Sequence, residues 1–237
     1  MSRGIWSEQD FARLPSLSVA AHELKSPITL MRQLALAIQS GELTEEEERQ
    51  YSDRLVMMSD RSLQLVNDLA QVANLQPSLI NVEPVNPLAI CRNLHSSVSP
   101  IAKMYGRDVV WPKNRKIGLV SANKQLLSTV ITNFVDNALK YSQDDMPIRV
   151  KLSQGDSRVR LAVRDYGPQI SLREYRRLTD EMEHLKSVKT RPDSSGLGVY
   201  IAAQFARAMG GEIGLIRHRD GVTFYVDLLK SGQMSWL

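Results

Sequence analysis

Asn133 and Asn137 stand four residues apart, and Lys140 and Tyr141 follow within the next turn of a helix. On a helix such residues share one face. Two amide side chains on one face offer oxygens to a hard cation such as Mg²⁺, and a nearby lysine can meet phosphate. Asp165 and Gly167 come after a strand-like apolar run. A carboxylate at a strand end can accept a hydrogen bond from an adenine amino group, and glycine lets backbone come close to a ligand. Gly196, Leu197 and Gly198 open another helix-like stretch, where backbone amides can cradle phosphate. Near the N-terminus, His22 is followed by Glu23, Ser26 and Pro27. A carboxylate beside an imidazole can take the Nδ1 proton and leave Nε2 as a nucleophile. Pro27 removes one backbone hydrogen bond just beyond the histidine.

Singly, these features are ordinary: an exposed helical histidine, a polar helix face, a glycine pair before a helix. Their flanking residues are more specific. Ala21-His22-Glu23-Leu24-Lys25-Ser26-Pro27-Ile28 resembles the phosphoacceptor box of sensor histidine kinases. Asn133-Phe134-Val135-Asp136-Asn137-Ala138-Leu139-Lys140-Tyr141-Ser142 resembles the asparagine box of the same family over ten residues. Asp165-Tyr166-Gly167-Pro168-Gln169-Ile170 resembles its first glycine box, with Gln169 in place of the second glycine. Ser194-Ser195-Gly196-Leu197-Gly198-Val199 resembles its second glycine box, with Ser194 in place of the first glycine. The charged stretch Ser171 to Asp193 lies where the family has a mobile lid. No phenylalanine motif is legible at its start, where Tyr175 or Leu178 would have to substitute.

The boxes stand in family order, and the resemblance covers about residues 10 to 230. It implies an ATP-dependent protein histidine kinase of a two-component system. His22 would be phosphorylated from ATP with Glu23 orienting it, and the phosphoryl group would pass to an aspartate of a response-regulator receiver domain. Ser26 stands where the family carries a residue linked to dephosphorylating the regulator. The resemblance places nucleotide contacts at Asn133, Asn137, Lys140, Tyr141, Asp165, Gly167, Gly196, Leu197 and Gly198, and Mg²⁺ at Asn133 and Asn137. It implies a homodimer, a cytoplasmic setting, and a sensor input domain that is separate or missing from this chain. Gln169, Ser194 and the absent phenylalanine motif support an alternative, a catalytically weak or inactive dimeric scaffold that docks a regulator.

These residues need two kinds of scaffold. Leu14, Leu17, Ala21, Leu24, Ile28, Met31, Ala35 and Ile38 recur at alternating steps of three and four. Tyr51, Leu55, Met58, Ser62, Leu65, Leu69 and Val72 do the same. Such spacing keeps one narrow apolar stripe toward a partner helix. Between the stripes, Gly41 suits a helix C-cap, and Thr44 with Glu47 suits an N-terminal capping box. The spacing predicts an antiparallel helical hairpin over about Ser7 to Asn74, with Leu30, Leu34, Leu63, Val66, Ala70 and Ala73 widening the face. A dimeric four-helix bundle covers such a face economically. From Pro77 on, helices and short strands alternate. Helices are expected at Pro87–Tyr105, Asn123–Tyr141 and Gly196–Met209. Strands are expected at Val109–Val110, Ile117–Val120, Ile148–Leu152, Val159–Val163, Glu212–His218 and Val222–Leu228. The fold class is α+β: a hairpin domain over residues 1–76, then an α/β sandwich over 77–237, one sheet with helices on one face, of the GHKL or Bergerat type that the resemblance names.

Composition sets the outer limits. The 237 residues are 43% hydrophobic but only 6% aromatic, so the cores are aliphatic. One cysteine, Cys91, excludes an internal disulfide and a cysteine-rich zinc site. No apolar run reaches the roughly 20 residues that cross a bilayer, so a soluble chain in a reducing compartment is expected. No phosphate-loop signature is present. Residues 1–76 carry 7 basic and 11 acidic side chains, and residues 77–237 carry 23 and 15. The basic half is expected to serve a triphosphate, because its charges do not gather into a nucleic-acid stripe.

Overall fold

The computed structural model describes residues 17–113, 116–143, 146–183 and 197–233. It opens with helix α1, Leu17–Gln39, and helix α2, Glu45–Ala73. The expected start near Ser7 lies outside the described residues. Gly41 turns the chain at φ +70°, a conformation side chains resist. Thr44 caps α2: its Oγ1 accepts from Glu47 N at 3.3 Å, and its N donates to Glu47 Oε2 at 2.9 Å. The bond from Thr44 N, with one from Thr44 Oγ1 to the same oxygen at 2.7 Å, holds the Glu47 carboxyl below its ordinary range.

The hairpin distributes its apolar residues over more faces than the single seam expected. Leu24, Met31 and Ile38 are half-buried, while Ile28 and Ala35 of the same stripe are exposed. Leu34, read as a flank, is buried. On α2, Leu65, Leu69 and Val72 pack against the core of the α/β part, so the end of that seam serves a contact between the two parts of the chain. A different strip, Val56, Leu63 and Val66, is exposed on α2.

The α/β part contains strand β1 (Glu83–Val85), helix α3 (Pro87–Met104), strands β2 (Val109–Val110) and β3 (Val120–Ala122), and helix α4 (Lys124–Tyr141). Strands β4 (Ile148–Gln154) and β5 (Arg158–Arg164) and helices α5 (Leu172–Glu183) and α6 (Leu197–Ala208) follow. Strands β6 (Glu212–His218) and β7 (Gly221–Leu229) come last. The main sheet has the order β2-β4-β5-β7-β6, with β2 parallel to β4 and the other pairs antiparallel. Three expectations are corrected here. A second sheet exists, β1 with β3, and the strand expected at Ile117–Val120 begins only at Val120, which pairs with Val85. The start of the expected lid is a docked helix, α5, because Leu178 and Met182 enter the core and Tyr175 packs on it. The rest of the lid, residues 184–193, lies outside the described residues.

Inward residues alternate along β4 and β5 (Ile148, Val150, Leu152; Val159, Leu161, Val163) and meet the buried faces of the helices. Phe134 of α4 stacks on Phe224 of β7, ring centroids 5.7 Å apart. Cys91 is buried on α3, and burial pushes its thiol up to about 12. The opposite sheet face is charged. Arg160 pairs bidentately with Asp227 at 2.8 and 2.7 Å and lies 3.6 Å over the Tyr225 ring. That ring covers Gly214, where a β-carbon would lie 2.3 Å from the Tyr225 hydroxyl. Arg149 and Lys151 are exposed beside it. Part of the basic charge of residues 77–237 therefore sits on this outer face. Among the described residues, no helix is long and apolar enough to cross a membrane.

Candidate functional site

Helix α4 begins where Asn123 Oδ1 accepts from Gln125 N at 3.0 Å and Leu126 N at 3.2 Å. Eight apolar residues bury one face, including Leu127, Ile131 and Phe134. The Phe134–Phe224 stack fixes the rotation of the helix. Its remaining stripe is therefore aimed away from the sheet. That stripe is Asn133, Asp136, Asn137, Lys140 and Tyr141, spaced as one helical face.

The stripe lines a cleft of about 1290 Å³. Ser26 and Pro27 of α1 line the same cleft, as do Gly198 and Val199 at the start of α6. His22 lies on α1, one turn before Ser26. The side chains of His22 and Glu23, and all of Gly196, are outside the described residues. The cleft thus brings together five of the expected positions on the nucleotide side, Asn133, Asn137, Lys140, Tyr141 and Gly198, with Ser26 of the phosphoacceptor box.

Asn133 Nδ2 donates to Thr129 O at 3.0 Å. Its Oδ1 is turned toward α6, where a β-carbon on Gly198 would lie 2.6 Å away. Asn137 Nδ2 is buried and has no hydrogen-bond partner among the described residues. A buried amide donor without a partner is costly, so a ligand there would satisfy it. Lys140 Nζ lies 5.4 Å over the Tyr141 ring. Leu197 is fully buried and anchors the first turn of α6.

Asp165, Gly167 and Leu197 do not line this cleft. Asp165 is buried at the end of β5, where its Oδ1 accepts from Gly167 N at 3.1 Å and Val222 N at 3.0 Å. Arg164, also buried, donates to the Asp165 carbonyl and to Asp220 Oδ1 at 2.5 Å, tying Asp165 to the β6–β7 turn. Ser142 Oγ accepts from Tyr166 N at 3.2 Å, and Gln143 N donates to Tyr166 O at 2.9 Å. These bonds hold the Asp165 loop against the C-terminal end of α4. Gln169, the departure from the family pattern, is exposed and outside the cleft.

Other residues on the cleft were not singled out from sequence, among them Arg54, Arg61 and Asp68 of α2, and Asp136 of α4. Arg61 pairs with Asp136, whose carboxyl burial pushes up while Arg61 pulls it down. Burial also raises Asp68, which accepts from Gln64 Nε2 at 2.7 Å. The only signal in the sequence was the seven-residue spacing of Arg61 and Asp68, which places both on one helix face. Among the described residues, no cluster of histidine, cysteine or carboxylate side chains could hold a metal ion.

Residues 122–232 match the family described as histidine kinase-, DNA gyrase B-, and HSP90-like ATPases. The sensor protein SphS of Synechococcus elongatus is 30% identical over 213 residues, covering 85% of this chain and 51% of that protein. The chain thus spans about half the length of that relative. Full-length ShkA, solved in complex with AMPPNP, superposes with a TM-score of 0.60 at 22% identity, over 92% of this chain and 47% of that one. Histidine kinase ThkA, solved in complex with the response regulator protein TrrA, gives a TM-score of 0.61 at 16% identity, over 90% of this chain and 60% of that one. Residues 122–232 thus match the histidine kinase-, DNA gyrase B-, and HSP90-like ATPases, and the chain is similar to a sensor protein over most of its own length.

Proposed function

We propose that this core transfers the γ-phosphoryl group of ATP to Nε2 of His22 and passes it to an aspartate on a response-regulator receiver domain. The observation that carries the reading is the shared cleft: Ser26 and Pro27, one turn from His22, face Asn133, Asn137, Lys140 and Gly198 across it. The division into a hairpin over 1–76 and a catalytic domain over 77–237 is part of the same proposal. In the first step the bond between the γ-phosphorus and the β–γ bridging oxygen breaks, a P–N bond to Nε2 forms, and ADP leaves. Glu23 accepts the Nδ1 proton. In the second step the P–N bond breaks as the aspartate oxygen bonds to phosphorus.

The residues present fit a magnesium-bound nucleotide. Asn137 Nδ2, a buried donor without a partner among the described residues, fits a phosphate oxygen, and Asn133 and Asn137 would hold Mg²⁺ through their amide oxygens. Mg²⁺ would neutralise phosphate charge there. Lys140 and Tyr141 bind the polyphosphate end, and Gly196 and Gly198 let backbone approach it. Asp165, steadied by Arg164 and Val222, reads the adenine amino group with Gly167 beside it. Ser26 orients water for removing the regulator's phosphoryl group. The exposed apolar residues Leu63 and Val66 support a homodimer, since a second copy would bury them.

Incubation with γ-labelled ATP tests the reading. Acid-labile label is expected on the unmutated chain and absent from His22→Ala. Label that persists in His22→Ala overturns it. Nucleotide binding without any label on the unmutated chain favours the dimeric scaffold.

A further inference from the structure

We propose that Arg61 is a positioning residue: it sets the register in which the nucleotide-binding helix docks on the phosphoacceptor hairpin. The proposal rests on the kinase reading above. Arg61 stands on α2, and its guanidinium pairs with Asp136 of α4. Asp136 lies between Asn133 and Asn137, on the same stripe of the cleft. Arg61 Nη1 also donates to the Tyr105 hydroxyl at 3.2 Å, and the guanidinium lies 5.7 Å from the Tyr105 ring centroid. Tyr105 is the C-cap of α3. One hairpin side chain therefore grips two helices of the α/β part.

The surrounding contacts explain why one ion pair can matter. Leu65, Leu69 and Val72 supply the apolar grip between α2 and the α/β core. Apolar packing is non-directional, so it holds the parts together without choosing one register. A slip of one helical turn would displace α4 by about 5.4 Å along α2. Asn133 and Asn137 would then no longer face the turn of α1 that follows His22. A charged hydrogen bond is directional and selects one register. Burial opposes the charge on Arg61, and Asp136 and Tyr105 outweigh it, so the guanidinium is held charged where it meets its partners. Gln64 and Asp68, farther along the same helix, border the cleft but bond to each other. Arg61 itself bonds to Tyr105 and Asp136, both in the α/β part.

The test uses the full chain with three readouts: affinity for a fluorescent ATP analogue, the single-turnover rate of His22 labelling, and interdomain energy transfer. The last uses dyes on cysteines placed at exposed Ser52 and Ser157. Arg61→Ala is expected to keep nucleotide affinity within about twofold and slow labelling about tenfold or more, because only alignment is lost. Its energy-transfer distribution should broaden. The exchange R61D/D136R should recover most of the rate and the narrow distribution, and each single charge reversal should not. Labelling of Arg61→Ala at the unmutated rate overturns the proposal, as does a double exchange no faster than the slower single variant. If the unmutated chain never labels His22, the kinase reading fails. The energy-transfer distribution then still decides the docking role, an unchanged distribution in Arg61→Ala overturning it.

Discussion

Asn133 and Gly198 compete for the same space: a β-carbon on Gly198 would stand 2.6 Å from Asn133 Oδ1. The asparagine box and the second glycine box, 65 residues apart in the chain, are thus a fitted pair across α4 and α6. Gly198 lies within a helix, where alanine is favoured over glycine by about 1 kcal/mol. The colliding atom is the end of a side chain, which can swing aside. Gly198→Ala is therefore expected to leave the melting temperature of the nucleotide-free protein level or higher, while ATP affinity and His22 labelling fall at least about tenfold, so that the ATP-dependent stabilisation shrinks. Thermal shift with and without ATP–Mg²⁺ checks this. A full nucleotide shift in the variant contradicts it.

Gly221 behaves differently. Its φ is +127°, and a β-carbon there would lie 2.4 Å from the Asp165 carbonyl oxygen and 2.6 Å from Asp165 Oδ1. The first obstacle is backbone, so no side-chain rotation relieves it. Gly221→Ala is expected to cost about 2 kcal/mol or more in stability and to weaken nucleotide binding by disturbing Asp165. Urea denaturation and ATP-analogue titration measure the two effects. Loss of stability with unchanged nucleotide affinity would remove Asp165 from the nucleotide site.

Leu178 tests whether the segment after the first glycine box is folded scaffold. It is 1% exposed within the core. Leu178→Ala is expected to cost about 3 kcal/mol, as large-to-small changes in packed cores do. A cost below about 0.5 kcal/mol would mean that α5 is not docked in solution.

Asp68 predicts a pH dependence. Burial raises its carboxyl above the ordinary value of 3.8, the charge on Asp136 adds to the rise, and the hydrogen bond from Gln64 opposes it. A carboxyl harder to ionise in the folded than in the unfolded chain penalises folding above its raised pKa. The penalty fades as pH falls through that value toward the unfolded one. Asp68→Asn is therefore expected to be more stable than the unmutated chain at pH 7. The gain should shrink as pH is lowered toward 3.8. Urea midpoints across that range check it, and a gain that grows on acidification contradicts it.

The sequence made visible whatever repeats along itself. Strand β6 is found at the residues expected, because Gly210-Gly211 before it and the turn at Asp220–Gly221 after it mark its two ends. Helix α4 is legible from its buried stripe and its Asn123 cap. Strand β1 was hidden by Pro84, which reads as linker yet is tolerated in a short strand of a two-stranded sheet. Helix α5 was hidden by its charges, although Leu172, Tyr175, Leu178 and Met182 keep helical spacing. The site divides the same way. Asn133, Asn137 and Gly198 stand in local motifs. Arg61 and Asp136 are 75 residues apart, and Arg164 supports Asp165 through a turn 56 residues on, so neither role has a local signature.

Gly214 of β6 lies opposite Tyr225 of β7, and Arg160 of β5, diagonal to Tyr225, reaches over its ring: floor, plate and cover. Their consequence is for how this chain can drift. A side chain at position 214 would strike the Tyr225 ring, and losing the ring would bare the glycine and unseat the guanidinium that Asp227 also holds. Each of the three is thus a poor candidate for change alone and a better one in company. A mutational scan should find their effects on folding far from additive. The outer face of the sheet, though distant from the cleft, then evolves in blocks rather than residue by residue.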